Sequence, residues 1–103
     1  MGKLKGFQKK YLRGLAHKIK PVVLIGQKGL TDELIKSADR ALETHELIKM
    51  KFNEFKEKEP KKKISASICE KTGAEIAGEI GHTVILYRKQ KDPEKRKILL
   101  PSR

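Results

Sequence analysis

From residue 4 to residue 19, apolar side chains recur at helical spacing. Leu4, Phe7, Tyr11, Leu12, Leu15 and Ile19 gather within about a third of a helical wheel, which predicts an amphipathic helix with that stripe facing a core. Winding at about 100° per residue puts Lys9, Lys10, Arg13 and His17 on the opposite side. The helix stops at Lys20, because a residue before proline is pushed out of helical geometry. After Pro21 the period changes. Val22, Val23, Leu24 and Ile25 form an unbroken apolar run rich in β-branching. Such a run predicts a strand buried on both faces, hence central in its sheet and suited to parallel pairing.

Gly26-Gln27-Lys28-Gly29 follows as a tight loop, and Thr31 is placed to cap a second helix with Asp32 and Glu33 in its first turn. Leu34, Ile35, Ala38, Ala41 and Leu42 give that helix its buried face. From Glu46 to Phe52 the pattern alternates, with Ile48, Met50 and Phe52 on one side and Lys49 and Lys51 on the other, as in a half-buried strand. Asn53 to Lys58 is a charged loop, and Pro60 suits the first position of a third helix that carries Ile64, Ile68 and Cys69 inward and stops at Gly73. Ala74 to Ile80 and Thr83 to Arg88 read as two strands joined at Gly81-His82, where glycine in the first turn position suits a type II′ hairpin. A charged linker leads to Ile98 to Leu100, a candidate short edge strand. An N-terminal helix followed by β-α-β-α-β-β is an α/β fold, a mixed sheet packed with helices.

At 103 residues the chain holds one domain, predicted over 1–103 with a core from about residue 4 to 88 and a basic tail from 89 to 103. Its charge is unevenly distributed. The formal net charge is +12, and +8 of it falls before Gly29, in a stretch with no acidic residue. A surface that only needs solvation intersperses its signs, as residues 29–59 do; an acid-free run points to a polyanion, RNA or DNA. Five aromatic residues and no tryptophan argue against a recognition surface built mainly on stacked bases. The lone Cys69 excludes an intrachain disulfide and suits a reducing compartment. The longest aliphatic run has four residues, so neither a signal peptide nor a membrane span is expected, and the location expected is cytoplasmic.

The sharpest local feature is the Gly26–Gly29 loop between strand and helix, where a missing Cβ lets backbone approach a phosphate and Lys28 adds charge. It is not a nucleotide-binding Walker loop, since the closing Gly-Lys-Ser/Thr is absent. Asp32 and Glu33 oppose an anion at the helix start itself, so a phosphate should favour the loop amides and Lys28. No catalytic set is visible. His17, His45 and His82 lie on separate elements without metal-ligand spacing, Cys69 reads as a small buried hydrophobe, and Ser65 and Ser67 have no neighbouring base. Neither an enzyme, a cofactor nor a metal is expected.

Four separated blocks then resemble a known family. They are Gln8 to His17 (QKKYLRGLAH), Lys20 to Val23 continuing through Gly26 to Leu30 (KPVV and GQKGL), His45 to Lys49 (HELIK) and Gly81 to Arg88 (GHTVILYR). The chain resembles the CRM domain (chloroplast RNA splicing and ribosome maturation) in its single-domain bacterial form, the YhbY type, from about Gly6 to Pro101. The resemblance implies a four-stranded mixed sheet similar to the C-terminal domain of translation initiation factor three, and an RNA-binding GxxG loop. It also implies association with precursors of the large ribosomal subunit. Carried onto this sequence, the expected RNA-binding residues are Lys9, Lys10, Arg13, His17, Lys20, Gly26, Gln27, Lys28 and Gly29; Tyr11 and Tyr87 are expected to serve the core, the alternative being a hydroxyl that reaches RNA. Two stretches depart from the pattern by being more basic, residues 53–63 and the tail after Arg88. The alternatives are a stable ribosomal component, another RNA-binding factor of the splicing type, and, least, an enzyme acting on RNA.

Overall fold

The structure is a computed structural model describing residues 3–102; Met1, Gly2 and Arg103, the extremes of the predicted domain, lie outside the described residues. Three α-helices and four strands follow one another as α1 (Gly6–Ala16), β1 (Pro21–Ile25), α2 (Asp32–His45), β2 (Leu47–Phe52), α3 (Lys58–Thr72), β3 (Glu75–Ile80) and β4 (Thr83–Tyr87), with a short 3₁₀ turn at Pro93–Lys95. The strands form one mixed sheet in the order β1-β2-β4-β3, parallel between β1 and β2 and antiparallel elsewhere. The α/β class and the helix-then-β-α-β-α-β-β order are as the sequence predicts.

Each face of the sheet carries its own core. Ile48, Met50 and Phe52 of β2 and Val84 and Leu86 of β4 pack with Val23 and Ile25 beneath α2 and α3, which supply Ala38, Leu42 and Ile68. The other face buries Leu47, Ala77, Ile85 and Tyr87 under Leu12 and Ala16 of α1. The alternation predicted for β2 therefore holds, and it leaves Lys49 and Lys51 on the α1 face.

The N-cap of α2 is Thr31, whose Oγ1 accepts the Leu34 N–H at 3.0 Å. At the hairpin, Gly81 has φ +58° and His82 does not share a positive φ, which is what a type II′ turn requires. Helix α3 begins at Lys58, two residues before the predicted start, and Pro60 sits in the first turn. A missing N–H costs nothing there, since the first four helical amides have no intrahelical partner.

Three expectations fail for identifiable reasons. Strand β1 is parallel but lies at the sheet edge; Val23 and Ile25 are buried, while Val22 is 50% and Leu24 57% exposed, because α1 does not extend over β1. Helix α1 is rolled relative to the predicted stripe. Leu12 and Ala16 face the sheet, whereas Phe7, Tyr11 and Leu15 are each about two-fifths exposed, so Tyr11 does not serve the core. Leu4 and Ile19 of the predicted stripe do pack against this core, and the area assigned to the other three comes instead from Ile98 and Leu100.

The third concerns Ile98 to Leu100, which add no strand. That segment is drawn onto the α1 face by side-chain acceptors. Glu46, buried and at positive φ (+64°), takes the N–H groups of Lys97 and Ile98 on Oε1 at 2.7 and 2.9 Å and that of Gln90 on Oε2 at 2.7 Å. Gln8 takes the Lys5 N–H at 2.9 Å and donates to the Pro101 carbonyl at 3.0 Å, tying the tail to the start of α1.

Candidate nucleic-acid interface

The Gly26–Gly29 loop leaves β1 at the carboxyl end of the two parallel strands, the side on which open α/β sheets bind ligands. It closes as a turn through Gly29 N–H donating to Gly26 C=O at 3.0 Å, which engages the Gly29 amide. Gly26, Gln27 and Lys28 are exposed, and the Gln27 and Lys28 amides have no partner among the described residues. The two glycines differ. Gly29 is buried at φ +64°, and a Cβ there would stand 3.0 Å from Phe55 Cε2. A Cβ on Gly26 would meet nothing within 4 Å. The fold therefore demands glycine at 29 and not at 26.

The 53–57 loop is fixed to the same sheet end. Asn53 and Glu54 both donate backbone N–H to Ile25 C=O, at 2.9 and 3.2 Å, which carries Phe55 onto Gly29. Of the lysine-rich stretch, Lys61 is structural: its Nζ donates to Gly81 C=O at 2.9 Å, lies 3.4 Å from His82 Nδ1 and pairs with Glu79 at 3.4 Å. Lys58, Lys62 and Lys63 are exposed.

On α1, Lys10 and His17 are exposed, Lys9 is half-buried, and Arg13 lies across the sheet margin. Its Nη1 donates to Ala77 C=O at 3.2 Å, and its stem passes where Gly78 lacks a side chain; a Cβ at Gly78 would stand 2.5 Å from Arg13 Cδ. A bulge at Ala77 in β3 opens that carbonyl. β3 and β1 are opposite edges of the sheet, three strand spacings or about 14 Å apart laterally, and the register sets the Arg13 anchor at Ala77–Gly78 level with Pro21, the end of β1 away from the 26–29 loop. The expected residues are thus spread out: Lys9, Lys10, Arg13 and His17 lie on or just after α1, Lys20 at the start of β1, and Gly26–Gly29 beyond its far end. Between them on the same face stand Lys49 and Lys51 of β2, which alternation alone had placed on the open side.

Among the described residues the ion pairs are Lys61 with Glu79, and Arg88 with Asp39 and with Glu43. Arg88, from the Gly81–Arg88 block, also donates to the carbonyls of Thr72 and Asp39, so it clamps β4 to α2 and α3. None of Lys9, Lys10, Arg13, Lys20, Lys28, Lys49 and Lys51 is paired with a carboxylate among the described residues.

Burial pushes the Cys69 thiol up to about 11, with Glu75 adding to the shift. Burial likewise raises the Tyr87 hydroxyl, with Glu46 and Glu75 adding and Arg96 opposing. Tyr87 is buried in the α1-side core and its hydroxyl finds no protein partner, so it is not placed to reach RNA. The described residues contain no group of three or more His, Cys, Asp and Glu side chains able to hold a metal ion, and no helix long and apolar enough to cross a membrane.

Two residues of consequence escaped the sequence reading, Phe55 and Glu46. A single aromatic inside the otherwise charged run Asn53 to Lys58 was the available signal for Phe55. Nothing in local pattern marks Glu46, whose partners lie 44 to 52 residues away.

A face of cations without carboxylate partners is the electrostatic footprint of a nucleic-acid-binding domain. The chain belongs to the CRS1/YhbY (CRM) domain family, whose model matches residues 4–88. It is 42% identical over 94 residues to an RNA-binding protein of Haemophilus influenzae, covering 91% of each chain. It is 35% identical over 98 residues to the "Probable RNA-binding protein YqeI" of Bacillus subtilis, covering 95% of this chain and 99% of that one. Among solved structures it superimposes on the hypothetical protein SAV1595 of Staphylococcus aureus, described as a candidate RNA-binding protein. The TM-score is 0.79 at 36% identity, over 96% of this chain and all of the other.

Proposed function

We propose that this protein is an RNA-binding assembly factor that acts in the cytoplasm on precursors of the large ribosomal subunit and holds RNA by its phosphate backbone. One observation carries the RNA-binding part: Lys9, Lys10, Arg13, Lys20 and Lys28 stand without carboxylate partners among the described residues, and the loop that carries Lys28 leaves the Gln27 and Lys28 amides open. Its relatives, named for RNA binding, support the same reading. The ribosomal part rests on the family resemblance.

In this reading the amides of Gln27 and Lys28 hold one phosphate while the Lys28 ammonium neutralises it. Arg13, its guanidinium oriented by Ala77, retains further N–H donors for a phosphate at the other margin. Lys49 and Lys51 lie on the path between. Contacts of this kind read the course of the backbone, so selectivity would come mainly from RNA shape.

Five phosphate contacts give a slope of log affinity against log salt of roughly −3.5 to −4.5. Titration of a large-subunit ribosomal RNA fragment between low and physiological salt should return it, and Lys28→Glu should weaken binding without lowering the melting temperature. Affinity indifferent to both salt and Lys28→Glu refutes the backbone grip. On sucrose gradients the protein should travel with precursor particles and be absent from mature subunits; comigration with mature subunits favours a stable ribosomal component instead.

A further inference from the structure

We propose that Phe55 is a stacking site for an unpaired nucleobase whose own phosphate rests on the Gly26–Gly29 loop. The inference rests on the RNA-binding reading above and adds a ligand class to it, single-stranded rather than duplex RNA.

Three observations converge on Phe55. Its backbone is left-handed, φ +56°, a conformation that bulky side chains rarely adopt and that persists only where its surroundings impose it. The imposing contacts are the Asn53 and Glu54 amides bonded to Ile25 C=O, which lift the next residue off the sheet end. The side chain then lies with Cε2 and Cζ against Gly29, yet Phe55 as a whole remains 40% exposed. The ring is thus held at the surface, on the backbone of the phosphate-binding candidate.

The spacing suits one nucleotide. Lys28 and Gln27 are one and two residues from Gly29, so their amides lie within about 4 and 8 Å of the residue that Phe55 covers. Lys28 is the cation of the loop that Phe55 covers, whereas the segment of Phe55 itself carries both signs, Lys56 and Lys58 with Glu54, Glu57 and Glu59. A base presents a π-face whatever its identity, so such a site accepts any unpaired nucleotide and excludes paired ones, whose faces are already stacked.

The test uses the full chain with an unpaired RNA oligonucleotide and the duplex of the same sequence. Phe55→Leu keeps an apolar cover on Gly29 and removes the ring. It should cost about 5- to 150-fold in single-strand affinity, the usual 1–3 kcal/mol of base–aromatic stacking. The salt slope and the duplex affinity should stay where they were. Phe55→Trp should retain binding, and because the chain has no other tryptophan its emission reports the site directly. Quenching by the single strand and not by the duplex supports stacking. Unaltered emission at saturating single strand overturns it, as does a Phe55→Leu protein that melts and binds like the wild type. Should leucine prevent folding, the tryptophan emission decides alone. A wild type that binds RNA with the expected salt slope while Phe55 proves indifferent removes only the stacking site; a wild type that binds no RNA removes both readings.

Discussion

The two glycines of the 26–29 loop should respond oppositely to the same added methyl group. Gly29→Ala places Cβ 3.0 Å from Phe55 Cε2 and 3.1 Å from Cζ, on a backbone at φ +64°. The left-handed conformation costs a residue with a Cβ about 1–2 kcal/mol. Phe55 is exposed and can give way, so the overlap adds up to about 1 kcal/mol more. The expected loss is about 1–3 kcal/mol, which for a domain of this size lowers the melting temperature by roughly 5–15 °C. Gly26→Ala meets no atom within 4 Å and lies outside the positive-φ region. Restricting the unfolded chain then stabilises the fold by about 0.4–1 kcal/mol.

The RNA measurement completes the contrast. A methyl group on Gly26 stands where a phosphate would approach the loop amides, and losing one charge-assisted hydrogen bond of about 1.5–3 kcal/mol weakens binding roughly 10- to 150-fold. Urea titrations with a common slope give the stability difference, and filter binding at fixed salt gives the affinity. A Gly26→Ala protein destabilised by more than about 1 kcal/mol refutes the contrast. So does a stable variant that binds RNA like the wild type, since the loop would then be a turn and nothing more.

Two further outcomes follow from buried groups. Glu46→Ala strands three backbone donors and frees the tail from the α1 face, with an expected loss of about 3–5 kcal/mol and a matching gain in proteolysis after residue 88; a loss under about 1 kcal/mol would mean the tail docks without its carboxylate. Cys69, pushed up to about 11 from 9.0, should be alkylated at pH 8 about a hundredfold more slowly in the native protein than in urea, and equal rates would refute its burial. The sign of the linkage is set by the same shift. A thiol raised on folding contributes stability that is complete below pH 9 and disappears as pH rises through about 11, and Tyr87, also raised, adds to the alkaline loss.

What the sequence discloses about this fold is what short-range patterning can encode. Thr31, Gly73 and Gly81 each act within one turn of themselves, and each lies where local chemistry puts it. Alternation from Ile48 to Phe52 is a two-residue period that needs only one buried face. The position of β1 in its sheet is different in kind. Val22 to Ile25 has the composition of a central strand, but whether a helix covers both faces depends on where α1 crosses, and α1 is placed by a tail some 80 residues away. The roll of α1 has the same origin. Gln8 and Arg13 enter the interface because Pro101 and Ala77 offer carbonyls to their head groups, so a polar residue outcompetes Phe7 and Tyr11 for the sheet. Hydrophobic periodicity has no access to that choice.

Charge, by contrast, was legible early and the fold explains why. Acidic residues cluster on α2 and in the 54–59 loop, and the cations that fold against α2 or the β3–β4 hairpin, Arg88 and Lys61, take their partners there. The α1 face draws its cations from the acid-free first 28 residues and from the alternating lysines of β2. The carboxylates nearest that face, Glu46 and Glu75, accept backbone N–H groups rather than pair with these cations, so its potential persists at the surface, where it attracts a polyanion and weakens with salt. The same segregation accounts for Asp32 and Glu33. They stabilise the start of α2 against its dipole and repel an anion from it, leaving the amides of Gln27 and Lys28, one turn earlier, as the point where a phosphate is least opposed.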